Sequence, residues 1–191
     1  MKKLIFFFLL FSFKALSALP LDNTLFSKFI SQLDRKKASF EQIKYIPELE
    51  MSFTSTGNIF FHKGVGVSFQ QKEPEELTFT ATKTTYCVQN EKKDLKELPY
   101  FEQIAEWTDA IMSENWDKLE ELFNLHYSQT KTDWYIELTP TEQHIAEFIE
   151  KINFTGTPTD LIKIELIYAN GTKITMILSS TLKDPTDEIN C

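Results

Sequence analysis

Apolar and polar residues alternate along the stretch from Ser39 to Ala81. Such alternation, with a period of two, is typical of β-strands that turn one apolar face toward a common side. A face with this many large residues needs a cover, which is either the protein's own helices or a ligand with long apolar chains. The alternating apolar positions are Leu49, Met51 and Phe53; Ile59 and Phe61; Val67 and Phe69; and Leu77, Phe79 and Ala81.

Helical spacing occurs on both sides of this strand block. Asp22 or Asn23 is a candidate N-cap. Apolar residues then recur at intervals of three and four residues up to Leu33, which predicts an N-terminal helix. After the block, 78–88 continues as a strand and 91–97 is predicted to be a polar loop. Pro99 then begins a helical stripe that runs to Met112, and a second stripe runs from Trp116 to Phe123.

The C-terminal part predicts further strands. Alternation from Trp134 ends at Pro140, 141–148 has the pattern of one helical turn, and a strand is expected around Ile152 and Phe154. Asn170-Gly171 is a strong hairpin signal between two alternating runs. The runs that it joins are Ile162, Ile164, Leu166 and Tyr168, and Ile174, Met176 and Leu178.

The first eighteen residues have the layout of a secretory signal peptide. A basic start at Lys2 and Lys3 precedes an apolar run up to Phe13 and a small-residue region that ends at Ala18. The alternative is an N-terminal anchor that is not cleaved. We expect a signal peptide over 1–18, one domain over 19–182 and an acidic tail over 183–191.

Removing the three lysines of the signal peptide changes the formal net charge from -8 to -11. An acidic chain argues against nucleic acid as a partner, because phosphate binding needs a basic surface. It also argues against resting on an anionic membrane. It favours solubility and electrostatic steering toward basic partner surfaces.

The chain has two cysteines, Cys87 and Cys191. An exported protein meets an oxidising compartment, where a bridge between them would close a long loop. The alternative is two free thiols, since spacing alone does not test the geometry of a disulfide.

Little in the sequence points to catalysis. His62, His126 and His144 lie on separate elements, and neither cysteine belongs to a metal-ligand pattern. The chain has five glycines, no phosphate-binding glycine-rich loop and no Gly-x-Ser-x-Gly motif. We therefore expect a protein that is not an enzyme and that uses neither a metal nor another cofactor.

Several short motifs occur together in one order. They are Phe40-x-Gln42, Gly57-x-Ile59-x-Phe61, Lys63, Phe69, Pro74, Trp134-x-x-x-Leu138-x-Pro140 and the hairpin 169–172. From about Ser39 to Ser180, this order resembles the LolA-like family of periplasmic lipoprotein and lipid carriers. The resemblance implies an α+β fold. In that fold, an unclosed antiparallel β-barrel with an N-terminal helix carries short lid helices over a hydrophobic cavity.

The resemblance also implies a lining for the cavity. The expected lining residues are Leu49, Met51, Phe53, Ile59, Phe61, Val67, Phe69, Leu77, Phe79, Ile104, Trp107, Ile111, Trp134, Ile136, Ile164, Leu166, Ile174 and Met176. Lys63 matches a basic residue of the family that helps to hold the lid closed; the alternative is an exposed lysine in a turn. The family typically has arginine there, followed by proline where this chain has Gly64, and often tryptophan at the position of Phe69.

The leading hypothesis is a periplasmic carrier that shields the acyl chains of a lipoprotein or glycolipid on the way to the outer membrane. Its expected partners are the acylated cargo, an inner-membrane donor protein and an outer-membrane acceptor protein, and the carrier itself is expected to be a monomer. One alternative is a lipid-sensing or interaction module on the same fold. The other is a lipid-modifying enzyme.

Overall fold

The computed structural model describes residues 36–62, 65–82, 85–88, 91–94, 110 and 115–183. Within these ranges, eleven strands form one antiparallel sheet. The strands are β1 (Lys36–Ile46), β2 (Met51–His62), β3 (Gly66–Glu73), β4 (Leu77–Thr82), β5 (Thr85–Val88), β6 (Glu91–Asp94), β7 (Phe123–Gln129), β8 (Trp134–Pro140), β9 (Ile149–Gly156), β10 (Leu161–Tyr168) and β11 (Lys173–Lys183). The helices are a 3-10 helix (Pro47–Leu49), α1 (Trp116–Leu122) and α2 (Gln143–Ala146).

The strand order is β6-β5-β4-β3-β2-β1-β11-β10-β9-β8-β7. Every neighbouring pair is consecutive in the chain except β1 and β11, whose pairing joins two meanders into one sheet. The two edges are β6 and β7, so the sheet is not closed into a barrel. The predicted α+β fold on an unclosed antiparallel sheet is confirmed. The predicted N-terminal helix and the stripe over 99–112 lie outside the described residues, except Ala110, which is helical and buried.

The strand registers place the alternating apolar residues on one side of the sheet. Residues that lie directly opposite each other in an antiparallel ladder point to the same face. Phe79 lies opposite Phe69, and Phe69 lies opposite Ile59. We name this side the core face and the other side the outer face. The prediction that these runs share an apolar face is confirmed.

The most tightly packed part of the core lies where α1 and α2 meet β7, β8 and β9. Its large side chains are almost completely removed from solvent, namely Leu119, Phe123, Ile136, Leu138 and Ile145. Asn115 caps α1, because its side chain accepts a hydrogen bond from the backbone N–H of Lys118 at 3.2 Å. Burial of this apolar group provides the main driving force for folding this half of the sheet.

The hairpin predicted at Asn170-Gly171 is confirmed. Ile164 lies opposite Met176 and Leu166 lies opposite Ile174. Gly171 adopts a φ of +83°, which glycine reaches without steric cost. The prediction that Ile162 belongs to the apolar run of β10 is wrong. A register irregularity between Leu161 and Lys163 buries Leu161 and exposes Ile162.

Three other expectations are corrected. Leu49 lies in the 3-10 helix that begins at Pro47, and not in the strand alternation. Phe123 ends no helix but begins β7, a strand that the helical stripe concealed. Glu91–Asp94 is a short edge strand, whereas a polar loop was predicted, because β5 supplies it with a hydrogen-bonding partner. Charged side chains such as these are common on edge strands, because one side of an edge strand faces solvent.

Candidate functional site

One row of residues crosses the core face from β2 to β8. Phe53 lies opposite Lys44, Lys44 opposite Ile174, and Ile174 opposite Leu166. The row continues through Ile152 to Leu138. Exposure falls along it: Phe53 is 46% exposed, Ile174 and Leu166 are half-buried, and Leu138 is 0% exposed. Along this row, the core face is therefore closed at Leu138 on β8 and open at Phe53 on β2.

The open part of the core face lies at the start of β2. Met51 and Phe53 are 52% and 46% exposed, although both are large and apolar. Other apolar residues on the same face are half-buried, so each keeps some contact with solvent. These half-buried residues are Phe61, Val67, Phe69, Leu77, Phe79, Ile164, Leu166, Ile174 and Met176.

The remaining predicted lining residues divide into three groups. Ile59, Trp134 and Ile136 are buried in the core. Leu49 is exposed on the 3-10 helix, away from the strand positions. The third group lies outside the described residues and consists of Ile104, Trp107, Ile111 and the predicted lid residue Lys63.

The motif residues Phe40, Gly57 and Phe69 form one packing unit. The rings of Phe40 and Phe69 stack with centroids 4.3 Å apart and an angle of 19° between their planes. Gly57 lies opposite Phe40, and a Cβ there would come 2.8 Å from Phe40 Cζ. The glycine therefore lets the Phe40 ring lie flat over β2. These motif positions serve packing beside the open part of the face.

Two polar residues lie on the core face of β1, namely Gln42, which belongs to the motif Phe40-x-Gln42, and Lys44, which the sequence analysis did not single out. Gln42 and Lys44 follow Ala38 and Phe40 at every second position and lie opposite Ser55 and Phe53. Gln42 Nε2 donates a hydrogen bond of 3.3 Å to Ser55 Oγ. The available signal was the two-residue period of β1 itself, which continues through these polar positions.

The outer face of β8 to β11 carries charge. Glu165 Oε1 lies 2.8 Å from Lys173 Nζ, and its Oε2 lies 3.1 Å from Lys163 Nζ. Burial alone would raise the pKa of Glu165, but the hydrogen bonds from Lys173 and Lys163 lower the pKa below its ordinary value. Burial, with the neighbouring Glu137 carboxylate, raises the pKa of Tyr135 to about 12. This face carries charged and polar side chains, with Ile167 and Ile177 among them, whereas the core face is mainly apolar.

Cys87 also lies outside the apolar site. It is on the outer face of β5, is buried, and is disulfide-bonded. Cys191, the other cysteine of the chain, lies outside the described residues.

The described ranges contain neither a group of metal ligands nor a helix that could span a membrane. Among these residues, no three or more histidine, cysteine, aspartate or glutamate side chains group as ligands for a metal ion. None of the helices within the same ranges is both long enough and apolar enough to span a bilayer.

Together, these features define an antiparallel sheet with open edges and an apolar face that is buried over much of its area and exposed at the start of β2. No family model matches the chain, and no curated protein matches it in sequence. Solved structures are similar to it in fold. A LolA superfamily protein from Nitrosomonas europaea aligns with a TM-score of 0.43 at 7% identity, covering 86% of this chain and 94% of that one.

Two other solved structures give comparable alignments. An outer membrane lipoprotein-sorting protein domain from Vibrio parahaemolyticus aligns with a TM-score of 0.42 at 10% identity. The alignment covers 86% of this chain and 93% of that one. The MucA/MucB complex of Pseudomonas aeruginosa has a TM-score of 0.49 at 12% identity, covering 90% of this chain and 61% of that one. The family that the motifs resemble is thus among the similar structures.

Proposed function

We propose that this protein is a periplasmic carrier that shields the acyl chains of a lipoprotein or lipid on the open part of its core face. The observation that carries the proposal is the gradient of exposure from Leu138 to Phe53 along one row of the sheet. An ordinary core is covered throughout. A face that is packed at one end and open at the other offers apolar surface to a ligand.

The energetics of acyl burial agree with a carrier that covers its cargo incompletely. At ~0.8 kcal/mol for each buried methylene, one chain of ~15 carbons contributes ~12 kcal/mol. Three such chains would pass the practical affinity limit of ~20 kcal/mol. A carrier must also release its cargo, and half-buried side chains such as Ile174 and Met176 give weaker contacts than a closed cavity. Release to an acceptor with a better site is then favourable.

The test compares two substitutions on neighbouring residues of β2. Phe53→Glu places a charge on the core face, whereas Thr54→Glu places the same charge on the outer face, and both parent residues are exposed. Delipidated protein is titrated with the neutral fluorescent probe N-phenyl-1-naphthylamine, and the fold is checked by circular dichroism. We expect Phe53→Glu to lose most of the binding and Thr54→Glu to keep it. Equal binding by both variants contradicts the proposed site.

A second experiment separates a carrier from the other two classes. Delipidated protein is exposed to a detergent extract of a bacterial envelope, which contains both lipids and membrane proteins, and is then measured by native mass spectrometry. A carrier retains diacyl or triacyl species that exchange into vesicles unchanged. Chemically altered lipid would show an enzyme, and stable binding of a membrane protein without lipid transfer would show a sensor. Either result overturns the proposal.

A further inference from the structure

Lys44 is a charged residue in the open part of an apolar face. It lies on the core face of β1 between Phe53 on β2 and Ile174 on β11. Its side chain is half-buried, and the described structure gives it no ion pair or hydrogen-bond partner. Lys163 and Lys173, which face outward on β10 and β11, both have Glu165 as an acidic neighbour. An ammonium group at such a place is costly to desolvate unless an anion meets it.

We propose that Lys44 binds the anionic headgroup, a phosphate or carboxylate, of an acyl ligand whose chains lie on the core face. This inference rests on the proposed function and adds the charge class of the ligand. Lys44 lies two residues before the end of β1, where Met51 and Phe53 are exposed. A headgroup at this position stays near water while the chains extend toward the half-buried Leu166 and Ile164. The lysine stem itself packs on apolar surface, as amphipathic side chains do.

The experiment compares oleate with monoolein, which has the same chain and a neutral headgroup. Each ligand displaces N-phenyl-1-naphthylamine from the wild type, from Lys44→Met and from Lys131→Met. Lys131 is exposed in the β7–β8 turn and serves as the matched control for loss of one positive charge. We expect Lys44→Met to weaken oleate binding about fivefold, the equivalent of ~1 kcal/mol, and to leave monoolein unchanged.

The outcomes separate the two proposals. Equal effects of Lys44→Met and Lys131→Met on oleate, with monoolein still bound, overturn the headgroup site and leave the carrier intact. Failure of the wild type to bind either ligand overturns the carrier. Oleyl phosphate, which has one chain of the same length as oleate, is then tested in the same way. The headgroup whose affinity falls more on Lys44→Met is the one that Lys44 binds.

The outer face of β1 to β5 also contains buried residues. One row there consists of Lys37, Phe60, Ser68, Thr80 and Cys87, which lie opposite one another in consecutive strands. We name these five residues the outer row. Phe60 is only 3% exposed and Thr80 only 2%, although Ser52 and Thr54 on the same face of β2 are exposed. Among the described elements, β2 to β5 make their main contacts within the sheet.

The C-terminal tail begins at one end of this row. Leu182 is in register with Lys37, and β11 ends at Lys183. From β11 to β5 is five strand spacings, about 24 Å at about 4.8 Å each. The eight residues after Lys183 reach about 26 Å when extended at about 3.3 Å each. The last of them is Cys191, and Cys87 at the far end of the row is disulfide-bonded.

We infer that residues 184–191 cross the outer row as a strap that covers Phe60, Ser68 and Thr80 and ends in a disulfide between Cys191 and Cys87. Three acidic residues of the tail then pass close to Lys37, which lies 4.6 Å above the Phe60 ring. To form the bridge, the two thiols lose two protons and two electrons to a thiol–disulfide oxidant, whose own disulfide becomes a dithiol.

The length of the tail gives a direct test. Deletion of residues 186–189 leaves a tail of about 13 Å, too short even with the ~6 Å that a disulfide spans between Cα atoms. The matched control replaces the same four residues by Gly-Ser-Gly-Ser and keeps the length. Disulfide mapping by mass spectrometry is expected to find the bridge in the control and free thiols in the deletion. A bridge that survives the deletion overturns the path across the outer row.

A second measurement asks what covers the row. β1 begins at Lys36, beside Lys37 of the outer row, so the chain that precedes it is the rival cover. A variant that ends at Lys183 is compared with reduced wild type by the rate at which iodoacetamide labels Cys87, after circular dichroism has shown that both are folded. We expect the truncated chain to be labelled at the rate of an exposed thiol. Continued protection of Cys87 in the truncated chain shows another cover and overturns the strap.

Discussion

At the scale of single residues, the motif glycine at position 57 is explained by packing. The Phe40 ring from β1 lies over Gly57, and the Phe69 ring from β3, on the other side of β2, stacks on the Phe40 ring. A Cβ on Gly57 would also meet the carbonyl oxygen of Gln70. Glycine in a strand interior often marks such a close approach. The motif therefore maintains the position of the two rings beside the open part of the core face.

We expect Gly57→Ala to lower the free energy of unfolding by about 1–3 kcal/mol, the usual cost of forcing an extra methyl group into a packed site. Urea denaturation measures the change. Thr54→Ala, at an exposed position of the same strand, is the control and is expected to change stability by less than ~1 kcal/mol. Equal effects of the two variants would contradict the packing role.

Tyr135 provides a second test at this scale. Its hydroxyl lies 2.9 Å from Glu137 Oε2 and 3.0 Å from Asn153 Oδ1. Burial, then the hydrogen bond and charge of Glu137, raise its pKa from 10.0 to about 12. Because the folded state favours the protonated form, this stabilisation is complete below pH 10.0 and is lost as the pH rises through about 12. Tyrosinate absorbance of the wild type minus Tyr135→Phe is expected to titrate near 12.

At the scale of elements, β10 and β11 are held together by their turn and by charge. Tyr168 and Gly171 close the turn through a backbone hydrogen bond of 2.9 Å. On the outer face, Glu165 lies between Lys163 on its own strand and Lys173 on the neighbouring strand. Charge-assisted hydrogen bonds of this kind are stronger than neutral ones. The hairpin therefore has a polar outer face, while its core face provides Leu166 and Ile174.

We expect Glu165→Gln to lower the free energy of unfolding at pH 7 by about 1 kcal/mol. The pKa of Glu165 is lowered in the folded state from 4.5, so its contribution is present above that pH and is lost as the pH falls through the folded pKa. The variant is therefore expected to lose less stability than the wild type on acidification. Glu150→Gln, at an exposed position of β9, is the control, and an identical acid dependence in both variants would contradict the assignment.

At the scale of the whole molecule, one sheet has two kinds of surface on its core face. The helices α1 and α2 cover β7 to β9, where Leu138 and Phe123 are fully buried. Toward β2, exposure rises until Phe53 and Met51 meet solvent. The sheet is stabilised mainly by the covered part, because the free energy of burial follows the apolar area that leaves water. The open part is then available for a ligand without loss of the fold.

This division predicts unequal effects of truncating two apolar residues in one row. Leu138→Ala is expected to cost about 2–5 kcal/mol of unfolding free energy, as for other fully buried leucines. Phe53→Ala is expected to cost less than ~1 kcal/mol in the ligand-free protein, since its ring is 46% exposed. Thermal and urea unfolding of both variants measure the difference. Comparable losses would show that Phe53 is ordinary core.

Much of the sheet could be predicted from the sequence. The two-residue period identified β2, β3, β4 and β8, and Asn170-Gly171 identified the β10–β11 hairpin, because side-chain alternation and turn geometry are local properties. The helical turn at 143–146 and the strand around Ile152 were also predicted. β7 was missed because an amphipathic helix runs directly into it, and Phe123 fits both patterns.

By itself, the sequence determined that this chain forms strands with a shared apolar face. Only the tertiary structure decided which part of that face is covered, because coverage depends on how β1 pairs with β11 and where α1 and α2 lie. The same pairing brings Lys44 between Phe53 and Ile174 and aligns the outer row that ends at Cys87. Alternation fixes the side to which a residue points, whereas its neighbours come from strands far away in the chain.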